Sequence, residues 1–170
     1  MEQRIRPATA ADAARIAELA NGLSAHEGLG PDVYNEGTVR RDGFGPDPAY
    51  SVLLAEADGE IVGYALFLNG YDTDIAARSV TLEDIFVTDT ARGRGIGRRL
   101  FAAVAHAAVE RGAHSLWWGV RSSNRAARRF YARLGARDED ARILQLDGEA
   151  LTRLAAEAAE DQNSRSKTTG

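Results

Sequence analysis

The sequence predicts an α/β fold, in which a mixed sheet is flanked by helices. Two apolar runs joined by Asp58-Gly59 indicate an antiparallel hairpin, because this pair supplies the positive φ angles of a tight turn. Further along the chain, strand-like runs alternate with amphipathic helical patterns, which is typical of parallel strands joined by crossover helices. A chain of 170 residues with 44% hydrophobic and 27% charged residues is long enough for one domain with a real core.

The individual elements follow from hydrophobic periodicity and from turn residues. Strands are expected to begin at Ile5 and to cover residues 50–56, 61–68, 80–87, 115–120 and 141–146. Helices are expected after the cap Asp12 and over residues 33–41, 96–111, 124–135 and 148–159. One domain is expected over residues 1–160, followed by a disordered polar tail over 161–170.

The strand over residues 80–87 has an irregular pattern. Its apolar residues fall on even positions at Val80 and Leu82 and on odd positions at Ile85 and Val87. Strict alternation has therefore slipped by one residue, which predicts a β-bulge at Glu83-Asp84. Bulges often lie beside active sites, and a strand that splays from its neighbour leaves backbone groups free to bind a ligand.

A glycine-rich turn connects this strand to the next helix. Glycine permits φ > 0 and a close backbone approach, and the N–H groups that open a helix favour an anion such as phosphate. The neighbouring arginines add positive charge. The segment therefore indicates a site for a phosphate-bearing cofactor; its residues are Arg92, Gly93, Arg94, Gly95, Ile96, Gly97 and Arg98.

Three interpretations of such a turn differ in their spacing. A P-loop needs Gly-Lys-Ser/Thr, but the sole lysine of the chain is Lys167. A dinucleotide fold places its glycines in the first βα unit, with an acidic residue about 20 positions later, where this chain has Ala113. The third pattern, Arg/Gln-x-x-Gly-x-Gly/Ala, is satisfied and resembles the acetyl-coenzyme A pyrophosphate loop of the GNAT superfamily of N-acetyltransferases. A flexible turn without a ligand is the remaining alternative.

The resemblance spans roughly residues 4–150 and is closest to the diamine and spermidine N-acetyltransferase branch. It rests on five segments: residues 6–12, 42–45, 82–87 and 92–97, and Asn124 followed by residues 130–136. It implies a GNAT fold with a bulged, splayed central strand, and acetyl transfer from acetyl-CoA to a primary amine of a small cationic acceptor. The branch implies a polyamine, diamine or lysine analogue as acceptor, and a homodimer.

The chemistry requires a base and an acid. An alkyl amine with a pKa of about 10.4 is protonated at neutral pH, so it must lose a proton before direct attack, and the departing thiolate must gain one. The resemblance implies Tyr131 as the acid, with an aromatic core position as its alternative. Glu83 is the candidate base, directly or through water, with a solvated edge carboxylate as its alternative.

The resemblance also implies further cofactor contacts. They comprise the backbone at Ile85, Phe86 and Val87, the side chain of Asn124, and Phe130. Asn124 stands at a helix start, so it has the alternative role of a helix N-cap.

Carboxylates are expected to hold a cationic acceptor. The positions that match the acceptor pocket of the branch are acidic: Glu27, Asp72, Glu83, Asp84 and Glu139. Asp74 adds a further carboxylate to the expected substrate-binding residues. The chain departs from the branch at Asp74 and Ala141, where members commonly carry tryptophan. Losing those aromatic walls removes cation–π contact with an aliphatic cation, so polyamine specificity does not follow.

Composition excludes several other classes. The chain has no cysteine, and its three histidines lack metal-ligand spacing, so neither thiol catalysis nor a metal site is expected. The net charge of −4 gives no support for a nucleic-acid partner. No signal region or membrane span is evident, so a cytoplasmic location is expected. A catalytically silent acyl-CoA sensor, and acetylation of an amino acid, an aminoglycoside-like amine or a protein N-terminus, remain alternatives.

Overall fold

The structure is a computed structural model that describes residues 2–30 and 32–167, with side chains up to residue 157. The chain forms two compact units, of which the first ends at Arg121 and the second begins at Ser122. The prediction of a single domain over residues 1–160 stays a prediction.

The first unit contains one sheet and three α-helices. The five strands are β1 (Gln3–Pro7), β2 (Ser51–Ala57), β3 (Glu60–Asp72), β4 (Ala77–Val87) and β5 (Ser115–Trp118). The helices are α1 (Ala13–His26), α2 (Glu36–Phe44) and α3 (Ile96–Glu110). Strands follow the sheet in chain order; the first four are antiparallel, and β5 pairs with β4 in parallel. The mixed sheet is therefore as predicted.

The β2–β3 hairpin shows how the sequence directs the sheet. Asp58 and Gly59 both have positive φ, at 52° and 86°, so the predicted tight turn is confirmed. The next hairpin is tighter than predicted. Residues 69–78 are expected to form a polar connection, but β3 continues to Asp72 and β4 begins at Ala77. Cross-strand pairing thus overrides the polar composition of this segment.

The two faces of the sheet have separate cores. Even-numbered residues of β2 and β3, such as Leu54 and Tyr64, pack with Ile16 and Leu19 of α1 and with Val39 of α2. Odd-numbered residues of the same strands point to the opposite face, which α3 covers. Tyr64 and Leu54 are both completely buried. The sheet therefore has an α1 face and an α3 face, and each side chain of a strand belongs to one of them.

The predicted bulge in β4 is confirmed by the register of the sheet. Phe67 lies opposite Leu82, but the preceding residue Leu66 lies opposite Asp84, so Glu83 has no direct partner on β3. Because side chains alternate along a strand, this extra residue exchanges the faces of all residues that follow it. Val80, Leu82, Ile85 and Val87 consequently share the α3 face, while Asp84 and Phe86 project to the α1 face. Without the bulge, Asp84 would point to the other side.

The second unit contains α4 (Arg125–Arg133) and α5 (Gly148–Lys167). Helix α4 is followed by Gly135 with a φ of 87°, as its predicted C-terminal stop requires. The strand predicted over residues 141–146 is not present: this segment has no regular secondary structure and no strand pairing, and Ile143 and Leu144 are 84% and 90% exposed. An apolar run forms a strand when a partner edge pairs with it, and the sequence alone does not supply one.

The last helix is longer than predicted. It continues through the segment expected to be a polar tail and ends at Lys167, and residues 168–170 lie outside the described residues. The segment from Gly148 to Lys167 contains no proline and no internal glycine, so nothing in its backbone chemistry interrupts a helix.

Candidate active site

The open edge of β4 is the first part of the site. Strand β5 pairs with β4 only from Ser79 to Leu82, so the stretch from Glu83 to Val87 has β3 on one side and no described strand on the other. Thr88 donates its N–H to the carbonyl of Val62, the residue next to the end of this pairing, at 2.9 Å. Backbone groups alternate along an antiparallel strand, so Phe86 is directed toward β3, and Ile85 and Val87 toward the open edge. The resemblance named all three residues, but this geometry favours the backbone of Ile85 and Val87.

The glycine loop leads from this edge into α3. Gly93 and Gly95 both have a φ of 77°, the left-handed region that favours glycine, and Gly95 is the residue that precedes the helix. No atom lies within 4 Å of the position that a Cβ of Gly95 would take, so the backbone there is open to a ligand. Within the described residues, the N–H groups from Gly93 to Arg98 donate no hydrogen bond. Such a row of amides at a helix N-terminus suits a phosphate group.

The arginines of the loop have different surroundings. Arg92 donates its Nε–H to the carbonyl of Val87 at 3.0 Å and forms an ion pair with Asp89 at 2.7 Å. Its guanidinium also lies over the ring of Phe86, 5.5 Å from the centroid. These contacts fasten the loop to the end of β4. Arg94 and Arg98 are exposed and have no ion pair within the described part of the chain, so they are available to a phosphate.

The fold partly buries one of the two acids at the bulge, Asp84. Tyr64 is completely buried and donates its hydroxyl to Oδ2 of Asp84 at 2.8 Å. Burial raises the pKa of the Asp84 carboxyl, and the nearby charge of Glu27 raises it further, while the Tyr64 hydrogen bond acts in the opposite direction. The fold thus holds a carboxylate in a fixed orientation at some cost in desolvation.

Two further residues, Glu27 and Tyr34, complete the acidic group around the bulge. Glu27 follows the last turn of α1, and its charge contributes to the raised pKa of both Asp84 and Tyr64. Burial, and then the charges of Asp84 and Glu83, raise the pKa of the Tyr34 hydroxyl. Helix α1 lies close to this part of β4, since a Cβ at Gly22 would be 3.3 Å from the ring of Phe86.

The loop that carries Tyr34 is held by α1. Asn21 accepts a hydrogen bond from the Tyr34 N–H at 2.9 Å and donates one to the Tyr34 carbonyl at 2.8 Å. This double contact fixes the backbone at Tyr34 beside the acids. We define the acid group as Glu27, Glu83 and Asp84, together with the two tyrosines that face them, Tyr34 and Tyr64.

Asp72 and Asp74 lie elsewhere in the first unit. Asp72 is at the tip of the β3–β4 hairpin, where it accepts hydrogen bonds from the Ser115 hydroxyl at 3.0 Å and from the Asp74 N–H at 3.2 Å. Leu66, opposite Asp84, is roughly 20 Å from Asp72 at the rise of about 3.3 Å per residue in a strand. The expectation that these two acids share a pocket with Asp84 within one chain is therefore corrected, because the bulge lies midway along the hairpin, six residues of β3 away from the tip.

Asn124 and Glu139, in the second unit, have local partners. Asn124 accepts a hydrogen bond from the Ala127 N–H at 3.0 Å, so its alternative role as the N-cap of α4 is confirmed. Glu139 forms an ion pair with Arg137 at 2.9 Å, rather than standing as a free acceptor carboxylate.

The aromatic pair of α4 is placed by the helix itself. The rings of Phe130 and Tyr131 meet edge to face, with centroids 5.3 Å apart. Burial raises the pKa of the Tyr131 hydroxyl, so the phenol is neutral at physiological pH. Tyr131 thus carries its proton in the range where an acid would be needed.

Sequence analysis missed Tyr34, Tyr64 and Arg121. The sequence pattern indicates that Tyr64 is an ordinary core residue of a strand. Only its register against the bulge brings its hydroxyl to Asp84. Tyr34 lies in a loop that has no periodic signal. Arg121 lies just beyond β5 and forms an ion pair with Glu27 at 3.9 Å. No local sequence signal identifies any of the three.

The structure also bears on metal-binding clusters and on membrane-spanning helices. Among the described residues, no group of three or more His, Cys, Asp or Glu side chains could hold a metal ion. Within the same part of the chain, no helix is long and apolar enough to cross a bilayer.

Solved structures share this fold. An integron cassette protein from the mobile metagenome of V. cholerae superposes with a TM-score of 0.78 at 21% identity, covering 91% of this chain and 98% of that one. An aminoglycoside acetyltransferase from an uncultured soil sample gives a TM-score of 0.72 at 15% identity and covers 86% and 97% of the two chains. At these identities the likeness concerns the fold.

Curated relatives are similar at higher identity. Thialysine N-epsilon-acetyltransferase of Bos taurus is 37% identical over 164 residues, covering 89% of this chain and 96% of that protein. The L-ornithine N5-acetyltransferase of Arabidopsis thaliana is 34% identical and covers 65% and 46%. Spermidine/spermine N(1)-acetyltransferase-like protein 1 of Homo sapiens is 29% identical and covers 79% and 20%.

The family model described as Acetyltransferase (GNAT) family matches residues 21–136. The matched region includes the end of α1 from residue 21 to residue 26, the bulge of β4, the glycine loop and Tyr131. The predicted fold, branch and enzyme class are thereby confirmed, and this chain belongs to the GNAT family of acetyltransferases.

Proposed function

We propose that the protein transfers an acetyl group from acetyl-CoA to a primary amine of a small cationic acceptor by direct attack. One observation carries the proposal: the register break at Glu83. That single extra residue turns Asp84 toward the α1 face, beside Glu27 and Tyr64, at the level where β4 loses β5 as a partner. Acidic side chains for an amine therefore lie next to the outward backbone groups of Ile85, which make no hydrogen bond within the described residues and can bind an acyl donor.

The residues of the glycine loop fit a coenzyme A pyrophosphate. Among the described residues, the N–H groups from Gly93 to Arg98 have no acceptor, nothing occupies the space above Gly95, and Arg94 and Arg98 form no ion pair. The outward N–H and carbonyl of Ile85 and the N–H of Val87 suit the amide-bearing arm of the cofactor, whereas the Val87 carbonyl already accepts a hydrogen bond from Arg92. When bound, acetyl-CoA supplies a thioester, whose carbonyl carbon is the electrophile.

The acid group is assigned to the acceptor amine. Glu27 and Asp84 supply negative charge for an ammonium group, and the Tyr34 ring adds an aromatic surface beside them. Glu83 is exposed and is assigned as the base that removes the proton of the amine, directly or through water. Tyr64 acts through Asp84 and is a positioning residue.

Tyr131 is assigned as the acid for the departing thiolate. Its raised pKa keeps the hydroxyl protonated at neutral pH, so the phenol can donate as negative charge develops on sulfur. Phe130, its edge-to-face neighbour, restricts the orientation of the Tyr131 ring.

The relatives support a cationic acceptor. The names of three relatives specify thialysine, L-ornithine and spermidine or spermine, and each of these molecules carries at least one amine beyond the one that is acetylated. An acid group of three carboxylates complements that shared charge. The homodimer and the cytoplasmic location stay predictions.

A thiol-release assay with acetyl-CoA tests the proposal. The panel contains diamines, spermidine, lysine, ornithine, thialysine and an aminoglycoside, and calorimetry measures coenzyme A binding to the same preparation. We expect binding of coenzyme A and amine-dependent thiol release with at least one cationic amine. Binding without turnover on any amine would overturn the enzyme assignment in favour of a silent sensor of acyl-CoA.

A further inference from the structure

The side chain of Arg121 brings a positive charge to the edge of the acid group. Strand β5 pairs with β4 up to Leu82 and Trp118, and the chain then continues past the level of the bulge. Three residues beyond Trp118, the guanidinium of Arg121 reaches Glu27 at the end of α1. An arginine thus lies beside Glu27, one of the carboxylates assigned to the acceptor.

The guanidinium of Arg121 has only a weak contact with Glu27. Its Nη2 is 3.9 Å from Oε2 of Glu27, beyond the usual hydrogen-bond range of about 2.7–3.2 Å. Within the described residues, the Arg121 side chain makes no hydrogen bond, and it is 63% exposed, against 38% for Glu27. By contrast, Arg6 makes hydrogen bonds of 2.8 Å to both carboxylate oxygens of Asp12. Arg121 therefore keeps its planar set of donors available to a ligand.

From this juxtaposition we infer that Arg121 binds the carboxylate of the acceptor, which makes basic amino acids, rather than plain diamines, the substrate class. A guanidinium matches a carboxylate with two parallel hydrogen bonds, and a diamine has no group that can use them. The α-ammonium of the same amino acid then has Glu27 beside it. An acceptor with both charges uses Arg121 and Glu27 together, whereas a plain dication is repelled by Arg121.

This inference rests on the proposed function, since it assigns part of the acceptor site. The matched substrates are lysine and cadaverine, which differ only by the α-carboxylate. The matched variants are Arg121→Gln and Arg121→Lys, with Arg40→Gln as the control. Arg40 is also exposed and ion-paired, to Glu36 at 2.8 Å, but it lies on α2 outside the acid group.

We expect the unmodified enzyme to prefer lysine over cadaverine in kcat/KM. In Arg121→Gln, the KM for lysine should rise about 30-fold, because a charge-assisted hydrogen-bonded pair is lost. The KM for cadaverine should fall a few-fold, because Glu27 is freed from its cation. Arg121→Lys should retain part of the preference, since it keeps the charge but not the planar fork.

Calorimetry of lysine and cadaverine binding to the same variants distinguishes the role of Arg121 from the acetyltransferase activity. Equal changes for both ligands, or a preference of the unmodified enzyme for cadaverine, would overturn the role of Arg121 and leave the acetyltransferase assignment intact. Loss of lysine binding in Arg121→Gln without turnover in any variant would support the carboxylate site and overturn the proposed function.

Discussion

The bulge and the tip of the β3–β4 hairpin both carry acids, but their surroundings differ. At the bulge, Asp84 is half-buried, accepts the hydroxyl of a completely buried tyrosine and has a raised pKa. At the tip, Asp72 accepts one hydroxyl and one backbone N–H. Desolvated charge is costly and is retained where it has a task, whereas the acid at the turn satisfies local hydrogen-bond donors.

This comparison assigns chemistry to the bulge and turn geometry to the tip. A variant at the tip that lowers catalysis as strongly as the matched variant at the bulge would contradict this assignment.

Glu83→Gln should have the largest effect. It removes the assigned base while preserving side-chain size, so kcat should fall by about 10²–10⁴-fold. Asp72→Asn, at the tip, should alter kcat by less than about twofold. Steady-state kinetics with the preferred amine at saturating acetyl-CoA gives both values. A comparable loss of kcat in the two variants would remove the distinction between the bulge and the tip of the hairpin.

Tyr131→Phe should lower kcat by about 10²-fold, because the ring is kept while the donated proton is lost. The KM for the amine should hardly change, which distinguishes a proton donor from the acids that hold the acceptor. Thermal unfolding of the same variant provides the control. Full activity in a folded Tyr131→Phe enzyme would show that solvent or another group protonates the thiolate.

Asp84→Asn should raise the KM for the amine by about 10-fold or more, because a hydrogen-bonded charge opposite the ammonium is lost. The KM for acetyl-CoA should change far less. Asp74→Asn at the tip is the matched charge removal and should leave the amine KM within about twofold. If the tip variant raised the amine KM as much, the bulge and the tip would contribute jointly to acceptor binding.

The smallest predicted effect is on stability, and it has opposite signs at two aspartates. Burial raises the pKa of Asp84, so its ionisation opposes folding: the folded state is favoured below the ordinary aspartate pKa of about 3.9, and this contribution is lost as pH rises. Asp84→Asn should therefore raise the Tm at pH 7 by about 2–4 °C, as expected for ~1 kcal/mol in a chain of this size. The gain should disappear toward pH 4.

Asp12 is the control for that sign. Hydrogen bonds from Arg6 hold the pKa of Asp12 well below its usual range, so its contribution to stability is present at neutral pH and is lost as pH falls. Asp12→Asn should lower the Tm at pH 7, and the difference should narrow in acid. Calorimetric melting of both variants at several pH values checks the pair; a lower Tm for Asp84→Asn at pH 7 would contradict the burial argument.

Local chemistry in the sequence determined the hairpin turn at Asp58-Gly59, the glycine loop before α3 and the bulge of β4. Each of these depends on a few adjacent residues: a pair with positive φ, glycines at a helix start, and apolar positions that shift from even to odd. The backbone reports the same features, with φ of 52° and 86° in the turn and 77° at Gly95, and with Glu83 unpaired in the register.

Only the tertiary structure decided which side chains meet. The sequence treated Asp72, Asp74 and Asp84 as one pocket, but a strand that rises about 3.3 Å per residue separates the tip from the bulge. It predicted a strand over residues 141–146, where no strand pairing occurs. Tyr64 and Arg121 reached the acid group through sheet register and through the course of the chain after β5. Periodicity specifies the face of an element, whereas contacts between distant segments depend on how those faces pack.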